Sequence, residues 1–146
     1  MKKILFVCIA AASLMSCQSK DKKNPKALST EEREKALKDT ANYTTIEWLD
    51  STTHDLGKLK KGEQIEVTFR FKNTGNKNLV FEDISAPCSC TLPEKPVEAY
   101  PPGAEGLIKA KFNGSGQGMI SKHINVVANT KPLYQFELTF TGEIKE

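Results

Sequence analysis

Two cysteines separated by one serine, Cys88-Ser89-Cys90, carry the most versatile chemistry in this chain. In an extended segment residues i and i+2 point the same way, so both sulfurs would lie on one face. Their Cα atoms would then stand about 6.5–7 Å apart, at the upper edge for a relaxed bridge, and joining them requires a tight turn. Ser89 makes such a turn harder than a glycine would. Three chemistries remain open. The pair caps the end of a fold, as thiols under the loop of residues 93–103 or as a local disulfide. It exchanges with a partner thiol, although no helix follows to lower a thiol pKa as it does after Cys-x-x-Cys. Or its thiolates hold copper or zinc, with His54, Met119 and His123 as the further soft or borderline ligands. His123 precedes apolar Ile124 on an alternating segment and is expected to face solvent. No cofactor is expected unless the metal reading holds.

The other two cysteines fall in a different kind of sequence. Met1-Lys2-Lys3, the apolar run Ile4 to Ala12 and the small-residue site ending at Cys17 form a secretory signal peptide over residues 1–16, too short to span a bilayer as a mature helix. Leu14-Met15-Ser16-Cys17 resembles the lipobox of bacterial lipoproteins, with Met15 where small or β-branched residues are commoner. That resemblance implies a diacylglyceryl thioether on Cys17, cleavage before it, and an acylated new amine. Cys8 leaves with the signal, so Cys88 and Cys90 are the only thiols left in a compartment where disulfides persist. Cleavage also removes Lys2 and Lys3, and the formal charge of +3 falls to +1. The remaining charges are interspersed, which argues against nucleic acid as a partner. Gln18-Ser19 in place of an aspartate favours the outer membrane, facing the periplasm.

The elements that must position these residues divide the mature chain in two. Residues 17–43 are polar, and the capping-box spacing of Ser29 and Glu32 starts a short helix with almost no apolar face. The expectation is a lipidated, solvated tether with a marginal helix. From residue 44 the apolar period becomes two. Ile65, Val67, Phe69 and Phe71 share one face, as do Ile108, Ala110 and Phe112, and Tyr134, Phe136, Leu138 and Phe140. Thr45 to Leu49, Leu79 to Ile84 and Ile120 to Ala128 are further strands. Turn signals separate them, among them Asn73-Thr74-Gly75-Asn76, with Gly75 supplying positive φ, and Pro102-Gly103 at the corners of a type II turn. "NGSGQG" (113–118) precedes β-branched residues rather than a helix, so it predicts a flexible hairpin loop and not a phosphate site. The pattern predicts an all-β chain, an immunoglobulin-like antiparallel β-sandwich of about seven strands over residues 44–146.

In order, "FRFKNTGNKNLVFEDISAPCSCT", "YPPGAEGLIKAKFNGSGQGMISKHINVVANT" and a last strand ending "TGEI" resemble the bacterial domain of unknown function 1573 family over roughly residues 45–144. Asn73, Thr74, Gly75, Cys88, Cys90, Thr91, Pro102, Gly103 and Asn129 fall on matching positions; Ser89 stands where the family usually has glycine. The resemblance implies a sandwich related to the Hydin-type immunoglobulin-like modules, often in lipoproteins, and implies no reaction.

Enzyme motifs are missing: the sequence has no Gly-x-Ser-x-Gly, His-Glu-x-x-His or P-loop. The expected function is therefore non-catalytic: an interaction domain held at the cell envelope by its N-terminal lipid, presenting a strand edge or loop end to another envelope protein or peptide. Asp39-Thr40-Ala41 and Asp50-Ser51-Thr52 also resemble three-residue O-glycosylation acceptors, which would modify Thr40 and Ser51.

Overall fold

A computed structural model describes residues 25–146; the expected signal peptide, Cys17 and the first residues of the tether lie outside them. In chain order the elements are β1 (Lys26–Ala27), α1 (Thr30–Lys38), a single 3₁₀ turn (Thr40–Asn42), β2 (Ile46–Trp48), β3 (Thr53–Lys60), β4 (Ile65–Asn73), β5 (Phe81–Ser85), β6 (Thr91–Glu94), β7 (Glu98–Ala99), β8 (Glu105–Phe112), β9 (Gly118–Ala128) and β10 (Gln135–Lys145). Two four-stranded sheets, ordered β3-β10-β9-β5 and β2-β4-β8-β6, face each other as a sandwich.

Alternation places the core as the sequence requires. Phe69, Phe71, Ile108, Ala110 and Phe112 on one sheet meet Phe81, Ile124, Val126, Leu138 and Phe140 on the other, all essentially without solvent contact. Edge-to-face contacts link them: Phe71 to Phe81 at 5.0 Å and to Tyr100 at 4.8 Å, and Phe112 to Phe140 at 5.6 Å between ring centroids. Trp48 closes one end against Phe71 and Phe136.

Several expectations change. The sandwich has eight strands rather than about seven, and one pairing is parallel: β3 runs alongside β10 from Thr53 against Thr139 to Lys60 against Lys145. β3 and β6 escape sequence reading because "THDLGKLK" alternates only weakly and Pro93 interrupts "TLPE". Tyr134 precedes its strand and is exposed, not inward. Residues 113–118 do not close a hairpin, since β8 and β9 belong to opposite sheets; they carry the chain across the sandwich. Gly114 lies against residue 63 there, with room for no Cβ (2.5 Å from the Glu63 carbonyl).

The turn residues also find different work. Gly103 has φ +77°, and the Ala104 N–H donates to the Pro101 carbonyl at 2.9 Å, as a type II turn around Pro102-Gly103 demands. Gly75 does not adopt positive φ. It is glycine because a Cβ there would overlap Thr44 Oγ1 and sit 2.5 Å from the Thr45 nitrogen. Asn73 continues the inward parity of β4 and is fully buried. Its Oδ1 accepts from Thr44 Oγ1 (2.8 Å) and the Gly75 N–H (3.1 Å), and its Nδ2 donates to the carbonyls of Lys77 and Tyr100, both at 2.7 Å. Asn129 plays the same part nearby, accepting from the Val80 N–H and donating to the Asn78 carbonyl.

The helix forms where the capping box predicts: Ser29 Oγ accepts from the Glu32 N–H and Glu32 Oε2 from the Ser29 N–H. It buries no residue. Yet from Lys26 onward the segment is not a free tether. β1 pairs with β7, the Arg33 guanidinium donates to the carbonyls of Val97 and Phe81, and Lys131 Nζ donates to the Ala41 carbonyl. Polar side chains reaching main-chain acceptors, rather than an apolar stripe, hold it against the sandwich.

Candidate functional site

Cys88 and Cys90 are joined by a disulfide, with Cα atoms 5.2 Å apart rather than the 6.5–7 Å of an extended segment. The chain turns here: the Thr91 N–H donates to the Cys88 carbonyl at 3.1 Å. No non-glycine residue among those described has positive φ, so serine at 89 is accommodated without strain. The turn carries the chain from β5 in one sheet to β6 in the other, and the Cys90 carbonyl accepts from the Asn113 N–H at 3.0 Å. The two sulfurs are unequal. Cys90 is buried and Cys88 is partly exposed. Cys88 Sγ accepts the Cys90 N–H at 3.2 Å, and Cys90 Sγ lies 3.8 Å from the hydroxyl of buried Thr91. A cross-link this local stabilises little by chain entropy: about 1.5 kcal/mol for three residues against about 3 kcal/mol for fifteen.

The candidate metal ligands are not brought together. His54 points into the sandwich edge, stacked on Phe69 at 4.4 Å. His123 lies on β9, two strands across the same sheet and on its outer face, with Nδ1 3.2 Å from Thr139 Oγ1 and 3.3 Å from a Glu137 carboxylate oxygen. Met119 shares that outer face but is four residues away, about 13 Å along the strand, and 78% exposed. Among the described residues no three His, Cys, Asp or Glu side chains cluster to hold a metal, so the geometry gives copper or zinc no support. Thr40 and Ser51 are both exposed; Ser51 Oγ accepts the Thr53 N–H at 3.1 Å.

The second feature is a sheet edge, whose place on β4 the sequence does not signal. Unpaired edges invite strand addition, and most edges here are blunted by known devices. The β5 carbonyls of Phe81 and Glu82 are taken by Arg33 and Lys95. β6 contains Pro93. β3 bends at Gly57, φ +65°, and spends two N–H groups internally, Thr53 to Ser51 Oγ and Gly57 to Asp55 Oδ1. β2 is only three residues long and pairs with β4 only at Phe71, Lys72 and Asn73.

That short pairing leaves β4 half uncovered. The Arg70 carbonyl accepts from Leu49 N–H, and the Arg70 N–H donates to Asp50 Oδ2, so the main-chain groups of even-numbered β4 residues face away from β8. By the period of two, those of Thr68 and Glu66 point the same way. Among the described residues no strand pairs with β4 there. Asp50 marks the boundary. It also takes the Arg70 guanidinium at 2.6 Å, and these hydrogen bonds hold its carboxyl down at about 2. Under the open edge lie buried Val67 and Phe69, with His54 stacked beside them. On the outer face Glu66 pairs with Lys109, Lys72 with Glu105 and Lys111 with Glu94.

The family model for a protein of unknown function (DUF1573) matches residues 46–144. No curated protein matches the chain in sequence. Among solved structures the chain is similar to a protein of unknown function from Porphyromonas gingivalis W83, with 18% identity, 68% of this chain and 46% of that one covered, and TM-score 0.60. It thus spans about half of that protein. It is also similar to the ASH / PapD-like domain of human CEP192 (12% identity, 71% and 87% covered, TM-score 0.57) and to the YadV chaperone (16%, 69% and 52%, TM-score 0.51). These likenesses show the fold alone, an immunoglobulin-like all-β sandwich.

Proposed function

This chain belongs to the DUF1573 family, and on that premise we propose that it is a non-catalytic interaction domain, lipid-anchored through Cys17 at the cell envelope, that receives an extended segment of another envelope protein by strand addition. One observation carries the reading: the uncovered main-chain edge at Glu66 and Thr68, in a sandwich whose other edges are blunted. An added strand would gain main-chain hydrogen bonds from these residues, with its alternate side chains over Val67 and His54 giving specificity. A PapD-like sandwich resembling a chaperone supports an interaction role. The lipobox-like Leu14 to Cys17 and the outer-membrane, periplasm-facing location complete the proposal.

Site-specific photo-cross-linking in intact cells tests it. A photoreactive residue at Glu66 is expected to trap a protein adduct that one at exposed Glu137, on the outer face of the other sheet, does not. Adducts from Glu137 alone, or from neither position, would refute the edge as the capture site.

A further inference from the structure

The geometry points to a second activity at the other end of the chain's chemistry: we propose that Cys88–Cys90 is a thiol–disulfide exchange site, attacked at Cys88 by a dithiol protein of the envelope. Three observations carry this. The bridge closes a loop too short for its main worth to be stabilisation. Its sulfurs are asymmetric: Cys88 is reachable from solvent and Cys90 is buried, so an incoming thiolate has one sulfur to attack. Each sulfur also has its own hydrogen-bond donor in place. The hydroxyl of Thr91, 2% exposed, finds its partner in Cys90 Sγ, and the Cys90 amide is aimed at Cys88 Sγ.

The step balances. A partner thiolate forms a bond to Cys88 Sγ, the Cys88–Cys90 bond breaks, and Cys90 leaves as a thiolate received by the Thr91 hydroxyl. The partner's second thiolate then attacks its own sulfur in the mixed disulfide and expels the Cys88 thiolate onto the Cys90 N–H. Two electrons and two protons pass from the dithiol, which becomes a disulfide, to this chain, which becomes a dithiol. The reverse direction oxidises the pair again. Because the donors are a backbone amide and a hydroxyl, both thiolates are stabilised without a neighbouring helix or cation. This activity does not depend on strand capture at β4, and each can fail alone.

The test uses the full chain in detergent with dithiothreitol as the probe dithiol. The folded protein is expected to be reduced reversibly with its circular dichroism unchanged. In Cys90→Ser, the Cys88 thiol is expected to form a mixed disulfide with oxidised glutathione at least about tenfold faster than the Cys90 thiol does in Cys88→Ser. Thr91→Val is expected to slow reduction of the intact pair about tenfold, the factor for one hydrogen bond to a charged sulfur, and Thr91→Ser to restore it. The Thr91 pair keeps the proposal testable if a cysteine variant fails to fold. Reduction only under denaturing conditions, equal reactivity of the two thiols, or no effect at Thr91 would each overturn it.

Discussion

Asp50 takes both the backbone N–H and the guanidinium of Arg70, and so closes the edge of β4 at the residue beyond which β2 provides no cover. Hydrogen bonds from Arg70 hold the Asp50 carboxyl at about 2, below its ordinary 3.8. A depressed carboxylate contributes fully above its unfolded value and loses that contribution as pH falls through the folded one. The clamp's contribution to stability is therefore expected to be full from neutral pH to about 4 and to fade as pH falls towards 2, where half of the folded molecules have Asp50 protonated. Carbon-detected titration of the Asp50 carboxyl should show a midpoint near 2; a midpoint near 3.8 would mean that the clamp does not form in solution. At neutral pH, Asp50→Ala should speed amide exchange at Arg70 and leave the ladder with β8 protected.

Asn73 satisfies two carbonyls, a hydroxyl and an N–H from a fully buried position. Truncation strands these groups without water. Asn73→Ala is expected to destabilise the domain by about 2–4 kcal/mol, read as a lowered denaturant midpoint at unchanged slope. Asn73→Asp should cost no less, because a carboxylate cannot donate to the carbonyls of Lys77 and Tyr100. An unchanged midpoint in Asn73→Ala would contradict the role assigned to this side chain.

Whether a residue's role is legible in sequence depends on whether that role is local. The alternation of β4, β8 and β10 reports burial directly, so parity alone places Phe69, Ile108 and Leu138 in the core. Tyr134 continues the same alternation yet stands outside its strand, because alternation does not say where a strand begins. Gly75 and "NGSGQG" look like turns, and turn residues they are. Their reasons lie in partners distant in sequence, Thr44 for one and the opposite sheet for the other. Asn73 does carry a signal: it keeps the inward parity of Ile65 to Phe71 as a polar residue, which marks a buried hydrogen-bond hub. The turn that brings Cys88 and Cys90 together rests partly on Asn113, and the open edge of β4 on where β2 ends. Neither leaves a trace in local composition.

The lipid anchor rests on sequence, and mass separates it from an ordinary secretory signal. The mature protein from cells is expected to begin at Cys17 and to carry the added mass of a diacylglyceryl and an N-acyl group. Cys17→Ser should lose that mass and leave the membrane fraction. A wild-type mass explained by the polypeptide alone would exclude the anchor.

The most direct test of strand capture removes one hydrogen-bond donor from the open edge. Proline is tolerated on an edge but has no N–H to offer. Thr68 faces away from β8, so Thr68→Pro should leave the β4–β8 ladder intact and the melting temperature within a few degrees, with Thr68→Val as the control that keeps the donor. With a photoreactive residue at Glu66, the expected result is a cross-linked partner in wild type and Thr68→Val and its loss in Thr68→Pro. An adduct of undiminished yield in a folded Thr68→Pro protein would contradict strand addition at β4.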